Sequence, residues 1–194
     1  MDPRLAAPID RIAAGPRGGQ PVYLRQWTRA DLPTIEAASR DPYIPLITTV
    51  PALYTPEAGE AWLARQGEHL ERGRACPLAV TVRGAEGPDH VVGFAAVNRI
   101  DWAERTAAVG YWILAEERGR GYAGAALALL PGLAAGLDLR RLEALIERDN
   151  LASQATCRRV GFLPNPADDR SERIGGQERE MLSFTLTLQP NTGA

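Results

Sequence analysis

The sequence predicts an α+β fold built on a mostly antiparallel sheet with one parallel crossover. Three observations lead there. Leu78–Val82, Val91–Asn98 and Thr106–Leu114 are short apolar or alternating runs joined by turn-forming residues, which describes an antiparallel meander. Thr106–Leu114 then leads into a glycine-rich turn, an Ala/Leu-rich helix and a further strand at Arg141–Ile146, and a strand–helix–strand unit returns parallel to its start. Glu178–Leu188 alternates as a closing strand, with a partner near Arg170–Ile174.

Taken in order, residues 1–20 carry Pro, Gly and Ala without periodicity and read as a loose arm, followed by a single domain over 21–189 and a loose end at 190–194. Val22–Trp27 alternates as a strand. Thr28, with Asp31 three positions on, starts a short helix to about Ser39. Asp41–Tyr54 has three prolines and reads as an ordered loop. Thr55-Pro56-Glu57 combines a cap, a first-turn proline and an early acid, so a second helix runs to Arg72 and stops at Gly73. Gly84–His90 is a hairpin turn, and Asp101–Arg105 joins the next two strands. Arg118–Gly124 opens a helix to about Leu137, which Pro131-Gly132 is expected to kink or end early. Ser153–Val160 forms a last helix closed by Gly161.

Composition narrows the function classes. With 45% hydrophobic and 24% charged residues the chain is globular, and a formal charge of −2 gives no electrostatic reason for a nucleic-acid or anionic-membrane partner. All 22 basic residues are arginine. Cys76 and Cys157 fit no metal or redox spacing and suit a reducing compartment, although one disulfide stays open; no metal is expected. The N-terminus lacks a signal-peptide apolar core, and the longest uncharged run, Tyr122–Leu137, is short for a membrane span and holds Pro131 and three glycines. The expectation is a cytoplasmic protein, monomer or homodimer.

Gly119-Arg120-Gly121-Tyr122-Ala123-Gly124 matches the dinucleotide fingerprint G-x-G-x-x-G, with Glu143 and Glu147 downstream. A nicotinamide-binding domain does not follow, because the motif begins past the middle of the chain, after a hairpin meander, with too few residues left for a doubly wound sheet. No Gly-Lys-Ser/Thr follows either, which excludes an ATPase phosphate loop. What survives is the physics: glycines let phosphate approach the backbone, and a helix start offers free N–H groups.

The run from Gly110 to Ala123, with Arg118-x-x-Gly121-x-Ala123 at its centre, resembles the pyrophosphate loop of the GNAT superfamily of N-acetyltransferases. Asp149-Asn150-x-x-Ser153-Gln154 and Gly161-Phe162 match the second half of that signature at the family's spacing. The resemblance is greatest to the Rim-type branch, named for acetylating ribosomal-protein N-termini, and spans the chain from Leu24-Arg25 to the last strand. It implies the GNAT fold with helices on both faces of a twisted sheet, acetyl-CoA as co-substrate, and transfer of its acetyl group to a primary amine.

The resemblance also implies site roles. Backbone groups of Ile113 and Leu114 pair with the pantetheine arm, on a strand splayed from its neighbour that also offers an N–H to the thioester oxygen. Amides of Arg120, Gly121, Tyr122, Ala123, Gly124 and Ala125, after Arg118-Gly119, hold the pyrophosphate. Arg118 either contacts phosphate or braces the loop. Asn150 resembles the family's pantetheine-binding asparagine, and the residue type serves equally as a helix cap. Many relatives carry a tyrosine acid seven residues after the asparagine, where this chain has Cys157, read as buried filler. Ser153, where Rim-type enzymes carry a serine, is left to protonate or solvate the thiolate, with helix capping as its alternative. Some relatives put a glutamate base where Leu145 stands; strand alternation puts Glu143 and Glu147 on the same face, with Glu143 nominated as base and a surface ion pair as its alternative. His69 and His90 fall away from the motifs.

The acceptor is read from the loop Pro42–Tyr54, which has no charged residue and offers Tyr43 and Tyr54, with Trp102 as a further flat surface or a packing residue. This suits a peptide N-terminus or small aminoacyl monoamine better than a polycation. The competing class is a non-catalytic acyl-CoA sensor that kept the fold.

Overall fold

The computed structural model describes residues 12–14, 20–83 and 89–189. Among the described residues, nine strands form one sheet: β1 Ile12–Ala14, β2 Val22–Arg25, β3 Cys76–Val82, β4 His90–Asp101, β5 Thr106–Ile113, β6 Arg141–Glu147, β7 Leu163–Pro164, β8 Arg170–Ile174 and β9 Gln177–Thr187. The spatial order is β1-β2-β3-β4-β5-β6-β9-β7, with β8 also on β9, and of these strands β5 and β6 pair in parallel while the other pairs are antiparallel. The helices are α1 Leu32–Ser39, α2 Ile44–Ile47, α3 Pro56–Glu71, α4 Tyr122–Gly136 and α5 Leu151–Val160. The expected meander, crossover and closing hairpin are all present.

Local chemistry sets the helix boundaries. Thr28 and Asp31 form a reciprocal capping box ahead of a 3₁₀ turn at Arg29–Asp31 that leads into α1. Thr55 Oγ1 accepts the Ala58 N–H at 3.1 Å to start α3, and Gly161, at φ +106°, closes α5 in the left-handed conformation that glycine takes without strain.

Two hydrophobic cores lie on opposite faces of the sheet. One packs α4 and α5, through Ala126, Leu127, Leu130, Ala134, Cys157 and neighbours, onto Leu24, Leu78, Val80, Val97, Val109, Ile113, Leu142, Ala144 and Ile146. The other packs α1–α3, through Ile35, Ala38, Ile44 and Trp62, onto Trp112 and Leu114, with Trp27 and Phe94 against it. Helices on both faces follow from strands whose two sides are both apolar.

Three local expectations are corrected. Residues 12–14 of the expected loose arm form β1, in register with Leu24, Tyr23 and Val22; the other residues of 1–19 and the end at 190–194 lie outside the described residues. Asp41–Tyr54 contains the helix α2, because Asp41 Oδ1 accepts the N–H groups of Tyr43 and Ile44 at 2.8 and 2.9 Å. Pro131 does not end α4, which continues to Gly136; Leu127, Leu130 and Ala134 are fully buried, and tertiary packing outweighs the lost hydrogen bond. Of the hairpin turn at Gly84–His90, residues 84–88 lie outside the described residues.

Candidate active site

The site is built where the parallel pair comes apart. β5 and β6 pair only at Thr106–Arg141, Ala107–Leu142 and Ala108–Glu143. Beyond that point β5 stays on β4 and β6 on β9, leaving a wedge between Val109–Ile113 and Ala144–Glu147. The Leu114 N–H is donated to Val92 O at 3.0 Å. By the alternation of an antiparallel ladder, Trp112 and Gly110 turn their peptide groups toward β4, while Val109, Tyr111 and Ile113 turn theirs into the wedge. A strand-like ligand can pair with these groups.

This corrects one assignment. Both backbone groups of Leu114 are engaged inside the protein, its N–H by Val92 and its C=O by the Glu117 N–H at 3.0 Å. Ile113 keeps its N–H toward the wedge, while its carbonyl accepts from Arg118 Nε at 3.0 Å. Tyr111 and Val109, assigned no site role from the sequence, supply the other wedge-facing groups.

At the open end of β5 the chain makes a 3₁₀ turn at Ala115–Glu117, passes Gly119 and Gly121 at φ +79° and +81°, and enters α4. Among the described residues, no side chain caps α4. The first-turn amides of Tyr122, Ala123 and Gly124 precede the first intrahelical bond, Ala125 N–H to Gly121 O at 3.1 Å, so they remain for an anion at the positive end of the helix dipole. Ala125 is corrected accordingly: its amide already has a partner. A Cβ at Gly121 would meet nothing within 4 Å, so the space above the turn is open. The Tyr122 ring is buried in the α4 core and contributes only its backbone. Arg120 NH1 lies 3.0 Å from Glu117 Oε2.

Of the two roles for Arg118, the structure shows bracing. Besides Ile113 O, its guanidinium donates to Asp41 Oδ2 at 2.6 Å. Burial alone would raise the Asp41 pKa; the amides of Ile44 and Tyr43 and the Arg118 charge more than offset this and hold it below the usual value.

The start of α5 flanks the same opening. Asn150 Oδ1 accepts the Ser153 N–H at 3.0 Å, a helix cap, and Asn150 Nδ2 lies 3.4 Å from the Tyr43 hydroxyl. Ser153 Oγ lies 2.7 Å from the Tyr111 hydroxyl. Cys157, one turn further on, is fully buried, and burial pushes its thiol up to about 11, which makes it no nucleophile at neutral pH. Cys76 and Cys157 are both free.

Tyr43, from the loop after α1, donates its hydroxyl to Glu147 Oε2 at 2.7 Å, and Arg179 NH1 donates to Glu147 Oε1 at 2.7 Å. Burial, then the Glu147 contact, push the Tyr43 phenol up to about 12, so it stays protonated. The β8–β9 turn closes this side, for a Cβ at Gly175 would fall 2.4 Å from Leu46 O in α2. Tyr54 lies against Gly59 of α3, beside the same loop.

Glu143 and Trp102 are corrected. Glu143 sits at the paired end of the wedge, about 13 Å along β6 from Glu147. Arg170 grips both its oxygens at 2.8 and 2.9 Å, and Ser183 Oγ donates at 3.0 Å. The Arg170 hydrogen bonds hold it below the usual carboxylate range, so it is a structural ion pair and a poor base. Trp102 lies on the β4–β5 connection, also at the paired end; its indole N–H donates to Gly73 O at 2.8 Å and its ring packs on the main core. Among the described residues, no group of three metal-ligating side chains occurs, and no helix is long and apolar enough to cross a membrane.

A wedge between parallel strands beside two helix N-termini is the frame that the sequence resemblance implied. No curated protein matches the chain in sequence. Among solved structures, RimJ of Mycobacterium smegmatis, in complex with CoA-disulfide, superposes with a TM-score of 0.76 at 21% identity, over 91% of this chain and 86% of that one. RimL, the ribosomal L7/L12 α-N-protein acetyltransferase in complex with coenzyme A, gives 0.75 at 18%, over 92% and 98%. Spermidine N-acetyltransferase from Vibrio cholerae, in complex with CoA and spermine, gives 0.70 at 16%, over 86% and 95%. The family described as acetyltransferase (GNAT) domain matches residues 22–163, from β2 through the wedge to the first residue of β7. The chain therefore belongs to the GNAT acetyltransferase family, enzymes that take their acetyl group from acetyl-CoA.

Proposed function

We propose that this acetyltransferase acts on a single, weakly basic amine, the α-amino group of a peptide N-terminus or of a small aminoacyl compound, by direct attack on the acetyl-CoA thioester. The observation that carries the reading is that Glu143 and Glu147, which share one face of β6, are each bound by an arginine, Arg170 and Arg179. A polyamine or aminoglycoside needs carboxylates to replace its lost hydration, and these two are already neutralised. A side-chain-type amine, with a pKa near ~10.4, also needs a base to become nucleophilic at neutral pH, whereas an α-amino group near ~8 is partly neutral unaided.

The donor lies with its pantetheine along Val109, Tyr111 and Ile113 and its pyrophosphate on the amides of Tyr122, Ala123 and Gly124. The amine enters at the open end of the wedge, beside Tyr43. Ser153 Oγ–H meets the departing sulfur, whose thiol pKa near ~8.5 makes it a fair leaving group. RimL, whose name specifies an α-N-protein substrate, shares the fold, as does the spermidine enzyme, so the fold alone does not choose between acceptors. The non-catalytic sensor reading is not favoured, because the family is one of acetyltransferases. A reducing, cytoplasmic setting suits two free, buried thiols. The test is a kinetic screen with acetyl-CoA: N-terminal peptides and aminoacyl amides are expected to exceed spermidine and an aminoglycoside in kcat/KM, and the reverse ranking overturns the reading.

A further inference from the structure

The tyrosine that many relatives carry seven residues after the asparagine is absent here, and that position holds the buried thiol of Cys157. A different phenol reaches the neighbourhood. Tyr111 comes from β5, the wall of the wedge, with its ring half-buried against the α4–α5 core. Its hydroxyl lies 2.7 Å from Ser153 Oγ in the first turn of α5, and Thr156 and Cys157 stand beside it. The two residues are 42 positions apart, brought together only because α5 packs across the open end of the wedge.

We propose that Tyr111 is a positioning residue for acetyl transfer: its hydroxyl donates to Ser153 Oγ, so that the single Ser153 proton points to the leaving sulfur. This rests on the acetyl-transfer reading above and adds to it a residue that acts through Ser153. A serine hydroxyl has one proton and turns freely about its Cβ–Oγ bond. The Ser153 N–H is already tied to Asn150 Oδ1, which fixes the backbone and leaves the hydroxyl to be aimed. Burial raises the Tyr111 phenol to about 12, so it keeps its proton at neutral pH and has one to donate across the 2.7 Å contact. A phenol that holds its proton so tightly does not protonate a thiolate whose conjugate acid has a pKa near ~8.5; it directs a hydrogen bond.

The step balances without it changing state. The amine nitrogen forms the new bond to the thioester carbon, the C–S bond breaks with its electron pair going to sulfur, and the proton lost by nitrogen passes to solvent. The thiolate forms under the Ser153 hydroxyl, whose bond strengthens as charge develops there.

The experiment is a double-mutant cycle on the full chain, with Tyr111→Phe made in the wild-type and in the Ser153→Ala background. With the best acceptor of the screen, Tyr111→Phe is expected to lower kcat about tenfold, the scale of one hydrogen bond gained in the transition state, with KM for acetyl-CoA within about twofold. In the Ser153→Ala background it is expected to lower kcat no further, because the group it aims is gone. An equal loss in both backgrounds, a change confined to KM, or a loss matched by a lower melting temperature overturns the positioning role while leaving acetyl transfer intact. Absence of turnover in the wild-type chain with every acceptor overturns the underlying reading itself.

Discussion

Arg118 donates to Asp41 Oδ2 at 2.6 Å, and the Asp41 carboxyl is 2% exposed. The pair joins the turn that leads into α4, the proposed phosphate site, to the loop that carries Tyr43, the proposed amine side. Asp41 Oδ1 starts α2, which positions Tyr43, while Arg118 also holds the last carbonyl of β5. The proposed donor and acceptor sides are thus tied by one carboxylate. Asp41→Asn keeps an acceptor for α2 but removes the charge. It is expected to cost about 1–2 kcal/mol in denaturant melts and to weaken both CoA binding and the acceptor KM. Because the folded pKa of Asp41 is depressed, its stabilisation is present above the ordinary carboxylate value and is lost as pH falls through the folded one. Wild type and mutant should therefore converge in acid.

Gly121→Glu tests the phosphate site. The residue sits at φ +81° with open space where a Cβ would stand, so the fold should survive with a loss of about 1–2 kcal/mol from the left-handed conformation. The new carboxylate would stand where phosphate must approach. Calorimetry is expected to show no CoA binding by a folded mutant; unchanged affinity would remove the phosphate assignment.

Asn150 caps α5 through Ser153 N–H. Asn150→Ala is expected to lower stability by about 1 kcal/mol, and Asn150→Asp, which keeps the cap, to recover most of it. Chemical denaturation of the three proteins measures this directly.

Tyr43→Phe removes the hydroxyl that joins the acceptor loop to Glu147. The acceptor KM is expected to rise about fivefold, with the Kd for CoA unchanged, because the bond lies on the proposed amine side of the wedge. A change in CoA affinity instead would place Tyr43 on the donor side.

Glu143→Gln is expected to leave the pH dependence of the rate unchanged, since Arg170 holds that carboxylate at the paired end of the wedge. Stability should fall by about 0.5–1 kcal/mol at neutral pH. Arg170 keeps the folded pKa of Glu143 low, so this difference should vanish as pH drops through it. A flattened rate profile would return Glu143 to the role of base.

The sequence by itself determined what local chemistry decides. The capping box of Thr28 and Asp31, the Thr55 cap, the Gly161 closure, the apolar runs of β4 and β5 and the alternation of β6 and β9 are properties of neighbouring residues, and the structure has them where the pattern put them. The glycine turn before α4 was legible for the same reason, since a free helix start and positive φ are encoded within a few positions. Tertiary structure decided everything that depends on which distant groups meet. Glu143 and Glu147 are indistinguishable by alternation; register gives the first to Arg170 at the closed end of the wedge and the second to Tyr43 and Arg179 at the open end. Trp102 lies near the wedge strand in sequence, yet the meander turns it to the far end. Nothing beside Tyr111 in the sequence marks its hydroxyl; only the folded chain sets Ser153 against it. Hydrogen bonds between residues some 30 to 105 positions apart leave no periodic trace in either segment, because neither segment forms them alone.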